Sequence, residues 1–219
     1  VNGREVKSFL LEIRKLLPYR TCAKLPKKHC LYADLGLCPG LCVWPRSKKR
    51  YLNILQTLRS LLELYQGKNL RIECYDISNL SGTLSVGSMV VSVGGKADKS
   101  QYRKFKIKTV DGQNDVASLA EILQRRLRHQ EWPKPDLIVL DGGKGQLKAA
   151  RRIDIPVVAL AKTGGGRLYS PFSGNYVSIA KLPQNVANHL LRVRDEAHRF
   201  AITYNRQKRL NIIKETTKK

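Results

Sequence analysis

Two amphipathic helices are predicted in the first third of the chain. Apolar residues recur every three or four positions over residues 3–17 and again over residues 51–65, which is the spacing of a single helix face. Gly67 follows the second run, and glycine commonly marks the end of a helix. The stretch between the two runs is interrupted by Pro and Gly, so we expect it to form turns with little core of its own.

From residue 70 onward the apolar pattern changes to that of strands. LRIECYD alternates between apolar and polar residues, GSMVVSV is a compact β-branched run, and YRKFKIK places apolar residues among cations. These three runs predict a three-stranded meander. Beyond them the pattern predicts a helix over residues 116–128, a buried strand over residues 136–141, a helix over about residues 145–152 and a second buried strand at IPVVALA.

The order of these elements predicts an α/β fold. Three strands, a helix, a strand, a helix and a strand is the order of the ribonuclease H-like fold, a mixed sheet flanked by helices. Residues 163–183, rich in Gly, Ser and Pro, are expected to form an exposed hairpin or loop, and a last helix is predicted over about residues 194–211. We therefore divide the chain into a helical segment with a cysteine loop (1–69), a ribonuclease H-like domain (70–211) and a basic tail (212–219).

The charge of the chain indicates a polyanionic partner. The sequence has 41 Lys and Arg against 17 Asp and Glu, a formal charge of +24, and a folded domain tolerates such self-repulsion best beside nucleic acid. A solvated surface of the ribosomal kind and an anionic membrane are the alternatives. No apolar run reaches the ~20 residues of a spanning helix, and no secretory signal pattern opens the chain. We therefore expect a cytoplasmic protein with no membrane partner.

Four of the five cysteines crowd into the amino-terminal loop in a C-x7-C-x7-C-x3-C pattern: Cys22, Cys30, Cys38 and Cys42. A small loop-rich segment of this kind usually needs a metal or disulfides to hold it. Without secretory features, thiolate ligation is the better explanation, and four Cys suit Zn²⁺ or an iron–sulfur cluster. Unligated thiols are the alternative. Cys74, inside a strand pattern, is expected to be a small buried residue.

Two carboxylates follow predicted central strands. If residues 70–76 and 136–141 are parallel neighbours, Asp76 and Asp141 meet at the carboxyl ends where open α/β sheets place their sites. Two anions brought together there repel each other unless a cation binds between them. The glycines after Asp141 allow a tight turn, and Lys144 is available to a phosphate. The alternative for Asp141 is a turn or helix-cap role.

Two further residues are candidates for the same site. Asp115 begins the predicted helix over 116–128, where the roles of N-cap and ligand are both open. His198 lies in DEAHRF and is suited to act as ligand or proton donor. A set of three Asp and one His suits Mg²⁺ or Mn²⁺. The remaining histidines are expected to be surface or structural residues: His29, His129 and His189.

Several segments resemble, in order and spacing, the carboxyl-terminal endonuclease domain of the UvrC family of excinucleases. They are YDISNLSGTLSVGSMVV, SQYRKFKIK, NDVASLAEILQRR, PDLIVLDGGKGQLKAA, PVVALAK and RDEAHRFAITYNR, and they cover residues 70 to about 209. Upstream, LPYRTCAKLPKKHCLYADLGLCPGLCV is similar to the cysteine segment of that family, an iron–sulfur-binding region. The resemblance therefore favours an iron–sulfur cluster over Zn²⁺ at the four cysteines.

The resemblance implies a nuclease that makes the incision 5′ to a DNA lesion in nucleotide excision repair, working with UvrB. By matching motif, Asp76, Asp141 and His198 would form the catalytic centre and hold the metal, and Asp115 matches a further acidic position that the family needs. Asn79 departs from the family's pattern, which commonly has His there. Residues 46–69 do not obviously contain the family's UvrB-binding hairpin, and no GIY-YIG motif for a 3′ incision is present in this sequence, so we expect either a fragment or a reduced homologue.

A set of basic residues is expected to contact DNA phosphates without reading sequence: Arg103, Lys104, Lys106, Lys108, Arg125, Arg126 and Lys144. Two rival functions remain at this stage. One is a DNA-binding scaffold that has lost catalysis, and the other is a ribonuclease H-like nuclease acting on branched DNA or RNA. The intact carboxylate set favours an enzyme over the scaffold.

Overall fold

The computed structural model describes residues 3–24, 28, 30–42, 48–80, 84–110 and 112–216, without the side chains of 48, 79, 80, 84, 85 and 204–216. Five α-helices lie within these ranges: α1 (Gly3–Ile13), α2 (Leu31–Asp34), α3 (Lys48–Tyr65), α4 (Asp115–Arg128) and α5 (Gln184–Thr216). Among the helices so described, none is long and apolar enough to cross a membrane.

Eight strands form one mixed sheet: β1 (Arg71–Leu80), β2 (Leu84–Val93), β3 (Lys96–Ala97), β4 (Arg103–Lys106), β5 (Leu137–Asp141), β6 (Val157–Ala161), β7 (Arg167–Tyr169) and β8 (Tyr176–Ser178). The order is β3-β2-β1-β5-β6-β7-β8, and β4 pairs with β2. The β1–β5 and β5–β6 pairs are parallel, and the other pairs are antiparallel. The predicted mixed sheet flanked by helices is confirmed, including the meander and the parallel central strands.

Three predicted elements differ from those observed. The predicted helix at 145–152 is a short 3-10 helix, Gln146–Ala150. The predicted hairpin at 163–183 contains β7 and β8, which extend the sheet. The last helix begins at Gln184, well before the predicted start at residue 194, because Val186, Leu190 and Val193 continue its buried face toward the amino terminus.

The sheet separates two hydrophobic clusters. Residues of α1, α3 and α5 pack on one face, and residues of α4 and the 3-10 helix pack on the other. Neighbouring residues of β1 alternate between them, since Cys74 belongs to the first cluster and Tyr75 to the second. The buried position predicted for Cys74 is confirmed. Helices α1 and α3 share their cluster with the strands, and the predicted division of the chain at residue 70 stays a prediction.

Glycine at position 87 allows α4 to pack directly on β2. A Cβ built on Gly87 would lie 1.8 Å from the Ile122 side chain. We expect Gly87→Ala to lower the free energy of unfolding by about 1–3 kcal/mol, because overpacking moves buried neighbours. Chemical denaturation measures this. Gly145→Ala is the matched control, since Gly145 has helical backbone angles and open space around its Cβ position; equal stability of the two variants would contradict the prediction.

The buried His189 predicts a pH-dependent component of stability. Its Nε2 lies 3.1 Å from Ser92 Oγ, and burial, with a smaller contribution from the Arg192 charge, lowers its pKa. The unfolded state therefore binds the proton more readily than the folded state. This component of stability is complete above the unfolded pKa of about 6.5 and declines as the pH falls below it.

The variant His189→Gln, which keeps a hydrogen-bonding side chain beside Ser92, should lose less stability than the unsubstituted protein when the pH falls. Urea denaturation of both proteins at about pH 7.5 and about pH 5.5 measures the difference. The other titrating groups are common to both proteins, so they cancel in the comparison. An identical pH dependence in the two proteins would show that His189 does not contribute.

Candidate active site

The carboxylates of Asp76 and Asp141 are placed by the parallel pairing of β1 and β5. Tyr75 pairs with Leu140, so the next residue of each strand reaches the same level at the carboxyl end of the pair. Alternation along β1 puts Asp76 on the same face as Cys74, which is the face that α5 covers. Helix α5 supplies His198 from that side. The predicted meeting of the two carboxylates is therefore observed, although β1 continues beyond Asp76 to Leu80 and only its pairing with β5 ends there.

The three side chains form a compact group. His198 Nδ1 lies 3.3 Å from Asp76 Oδ2 and 4.0 Å from Asp141 Oδ2. One ligand atom from each residue lies within 4.8 Å of the others, and among the described residues this is the group of three or more His, Cys, Asp or Glu side chains close enough to hold a metal ion. The carboxylates are largely buried, whereas the His198 side chain is 59% exposed. The group is thus open to solvent on its histidine side.

The electrostatics of the group favour a bound cation. Burial, reinforced by the charge of Asp141, raises the pKa of Asp76 to about 6. Burial also raises the pKa of Asp141, against the opposing charges of Arg194 and His198. Both shifts mean that the site resists two negative charges in the absence of a counterion. Two oxygen ligands and one imidazole nitrogen fit a divalent ion of the Mg²⁺ or Mn²⁺ type.

Asp115 lies at the edge of this group. It lines, with Asp76 and Asp141, a cavity of about 140 Å³ at the end of the sheet. The alternative role of Asp115 as a helix cap is wrong, because Asn114 is the N-cap of α4 and its Oδ1 accepts a hydrogen bond from Ala117 N. Asp115 is the first residue of the helix and is not part of the three-residue ligand group among the described side chains.

The turn after Asp141 depends on glycine. Gly142 has φ of 125°, and a Cβ there would lie 2.6 Å from the Gln146 side chain. Gln146 also lines the cavity beside the carboxylates, a role that sequence reasoning missed. A second missed residue is Arg194, which is buried one helical turn before His198 and acts electrostatically on Asp141. Its spacing of four from His198 on a predicted helix is a signal that would have revealed it.

Most of the predicted phosphate-contacting cations are accessible. Lys104, Lys106, Lys108 and Lys144 are exposed, and Arg103 and Arg125 are partly exposed. Lys104 Nζ lies 5.1 Å from the ring centroid of Phe200, two residues after His198, so the basic strand β4 runs beside the active-site helix. A DNA contact by these residues stays a prediction.

Arg126 is the exception. It is 2% exposed, and its guanidinium donates to the buried carboxylate of Glu73 at 2.8 Å and to Pro133 O at 2.6 Å. The prediction that Arg126 contacts DNA is therefore wrong, because the fold uses all of this side chain in its interior. Helical spacing is a signal for this burial, since Arg126 continues the face of Leu119 and Ile122, whereas Arg125 and Arg128 lie off that face.

The four predicted cysteine ligands are not gathered in the structure. Cys22 is exposed, the other three are partly buried, and all are free thiols. Among the described residues they do not form a group within metal-binding distance. His29 and residues 25–27 of the same loop lie outside the described residues. The iron–sulfur or zinc site stays a prediction from the spacing and the resemblance.

Most of the chain is similar to proteins of one known family. A family model for the UvrC RNAse H endonuclease domain matches residues 60–202. The UvrABC system protein C of Streptococcus equi subsp. equi is 46% identical over 154 residues, which cover 65% of this chain and 26% of that protein. Its counterpart in Methanosarcina acetivorans is 46% identical over 161 residues, which cover 69% of this chain and 31% of that protein.

A solved structure of Ciona intestinalis Endonuclease V has a TM-score of 0.37 and 16% identity, covering 54% of this chain and 59% of that one. This likeness is too weak to support an argument. This chain spans between 26% and 31% of the length of the two relatives described above. The family model, however, covers well over half of the chain, and it includes all three residues of the compact group. The chain therefore belongs to the UvrC family.

Proposed function

We propose that this chain is a divalent-metal-dependent endodeoxyribonuclease that makes the 5′ incision beside a DNA lesion in nucleotide excision repair. The observation that supports this most strongly is the compact group of Asp76, Asp141 and His198 at the point where the parallel pairing of β1 and β5 ends. The family to which the chain belongs has an endonuclease domain over the same residues.

The residues of the group have distinct roles in this proposal. Asp76 and Asp141 would hold the Mg²⁺ or Mn²⁺ ion through their carboxylates. When bound, the ion neutralises charge on the scissile phosphate and lowers the pKa of an attacking water. The positive φ of Gly142 and the close approach of the Gln146 side chain require glycine in the turn that follows Asp141. Lys144, exposed after that turn, stabilises the negative charge of a neighbouring phosphate.

His198 is the residue with the most solvent access in the group. Its Nδ1 faces Asp76, and as a third ligand it would complete the site from α5. The exposed side of the ring also suits proton transfer to the leaving oxygen. Asp115, across the cavity of about 140 Å³, is suited to orient the attacking water through a hydrogen bond.

The substrate and partners follow from the same family membership. We propose damaged double-stranded DNA as the substrate, with a UvrB-like protein at the lesion placing the scissile bond in the site. The basic character of the chain supports a nucleic-acid substrate. We also propose, from the spacing of Cys22, Cys30, Cys38 and Cys42, that these four residues bind an iron–sulfur cluster, with Zn²⁺ as the alternative.

Incision of a lesion-bearing duplex tests this function. The duplex is labelled at each 5′ end in turn and incubated with the chain, with and without UvrB, in Mg²⁺, Mn²⁺ or EDTA. We expect nicks on the 5′ side of the lesion in either metal and none in EDTA. If the His198→Ala variant cuts only at a raised metal concentration, His198 is a metal ligand. If the variant cuts slowly but with the same dependence on metal concentration as the wild type, His198 is a proton donor. Salt-sensitive DNA binding with no incision under any condition would favour a non-catalytic scaffold.

A further inference from the structure

A basic cleft of about 520 Å³ lies between the start of α3 and the connection that leads into β6. Four cations line it, Lys49, Arg50, Arg151 and Arg152, together with one carboxylate, Asp154. Pro171, Phe172 and isoleucines of the connection form its apolar part. We call this the α3 cleft, and no residue of it belongs to the group of Asp76, Asp141 and His198.

The charges of the α3 cleft are only partly neutralised within the protein. Lys49 Nζ pairs with Asp154 Oδ2 at 2.7 Å, and Arg50 Nη2 donates to Phe172 O at 3.3 Å. Arg151 and Arg152 are exposed, and neither has an ion-pair partner among the described residues. The cleft therefore keeps a strong net positive charge.

The first turn of α3 is rich in positive charge. The helix begins with KKR and has no acidic residue in its first turn. Cations at a helix amino terminus oppose the positive end of the helix dipole. An anion bound in the cleft would offset both the dipole and the side-chain charges.

Residues of the loop after β7 lie between the α3 cleft and the turn that follows Asp141. A Cβ built on Gly174 would lie 3.6 Å from Lys144 Nζ, so the loop after β7 contacts the turn that follows Asp141. Gly174, Phe172 and Arg50 line one cavity of about 330 Å³, and Phe172 and Arg50 also line the α3 cleft. The loop that contains Phe172 and Gly174 therefore borders both the turn that follows Asp141 and the α3 cleft.

The separation between the active site and the α3 cleft suits a polymer rather than a small ligand. Asp141 pairs with Leu160, and the cleft reaches Val157 at the other end of β6. These levels are three residues apart on β6, roughly 10 Å along the strand at ~3.3 Å per residue. A nucleic-acid strand carries phosphates at close, regular intervals. One strand can therefore place phosphates both at the active site and in the α3 cleft.

We propose that the α3 cleft binds the sugar-phosphate backbone of the DNA that is incised, at a distance from the scissile phosphate. The proposal rests on the proposed nuclease function. Arg151 and Arg152 contact phosphates, and the apolar surface of Phe172 packs against a sugar. Such contacts set the position of the duplex and carry no sequence information.

The test compares two double variants of equal charge. Arg151→Ala with Arg152→Ala removes the two exposed cations of the cleft. Lys96→Ala with Lys99→Ala removes two exposed cations at β3 and just after it, on the opposite edge of the sheet order. Binding of a duplex of roughly 30 base pairs is measured by anisotropy in EDTA between about 50 and 200 mM salt, so that phosphate contacts are counted without cutting.

We expect the arginine variant to lower the slope of log K against log salt by ~1.8, or ~0.9 for each lost phosphate contact. Its deficit relative to wild type should therefore shrink about tenfold across this salt range, while the lysine variant stays close to wild type. Equal slopes in the two variants would overturn the proposal. A different result would identify the cleft as a docking site for an acidic protein. In that case polyglutamate binds the wild type but not the arginine variant, and the two variants have equal slopes of log K for DNA binding against log salt.

The experiment distinguishes a failure of the proposed role of the α3 cleft from a failure of the proposed nuclease function. Incision of the same duplex by wild type in Mn²⁺ is measured in parallel. Incision by wild type combined with equal slopes would reject only the role of the cleft. Absence of both incision and salt-dependent binding in wild type would reject the proposed function itself.

Discussion

Asp141→Asn should reduce incision by at least ~10³-fold, the largest effect expected of any single substitution in this chain. The amide keeps the size of the side chain and removes one of the two anionic ligands of the metal. Metal-ion catalysis contributes several kcal/mol of charge stabilisation, and each ~1.4 kcal/mol corresponds to a factor of ten in rate. Single-turnover incision in Mn²⁺ measures the loss.

Binding and stability of the Asp141→Asn variant provide the internal control. Burial raises the pKa of Asp141, which shows that its negative charge is unfavourable in the metal-free fold. We therefore expect the variant to be at least as stable as the wild type and to bind DNA as tightly or more tightly in EDTA. Asp195→Asn is a matched comparison, since Asp195 lies on the same helix as His198 but outside the ligand group. Comparable incision by both variants would remove Asp141 from the active site.

Arg126→Met should lower the free energy of unfolding by about 3–5 kcal/mol, the largest stability effect expected. The guanidinium is buried against Glu73, which is fully buried, and Arg71 and Tyr75 also donate to that carboxylate. Loss of Arg126 leaves a buried anion with one cation instead of two. Its contact with Pro133 O is lost as well, so α4 is no longer tied to the loop before β5.

The neighbouring Arg125 offers a matched control. Its ion pair with Glu121 lies nearer the surface, with 30% of the arginine side chain and 8% of the glutamate side chain exposed. The Glu121 carboxylate keeps hydrogen bonds from Lys108 and Thr109 when the arginine is replaced, so we expect a loss of about 1 kcal/mol or less. Urea denaturation of Arg125→Met and Arg126→Met compares the two sites with the same chemical change. If Arg126→Met prevents folding, Arg126→Lys keeps the charge and should show an intermediate loss. Equal stability of the two methionine variants would mean that the buried pair contributes no more than the surface pair.

The sequence predicted the carboxylates of the candidate site better than the residues that surround them. Asp141 was identified because a strand end followed by glycines is a local feature, and Asp76 because the parallel pairing of its strand brings it level with Asp141. Gln146 was missed because its role depends on a close approach to the turn after Asp141 that no local pattern shows. Arg194 was missed although its helical spacing of four from His198 indicated it. The amino-terminal part of α5 was missed although apolar residues continue its buried face before residue 194.

By itself, the sequence determined most of the element types, the central parallel strands and the two carboxylates, since these follow from periodicity and from residues adjacent in the chain. Only the tertiary structure decided that Glu73 is the buried partner of Arg126 and that Lys49 and Arg152 face one cleft. The reason is physical: the residues of each pair are far apart in the sequence, and they meet only when the sheet and the helices pack together.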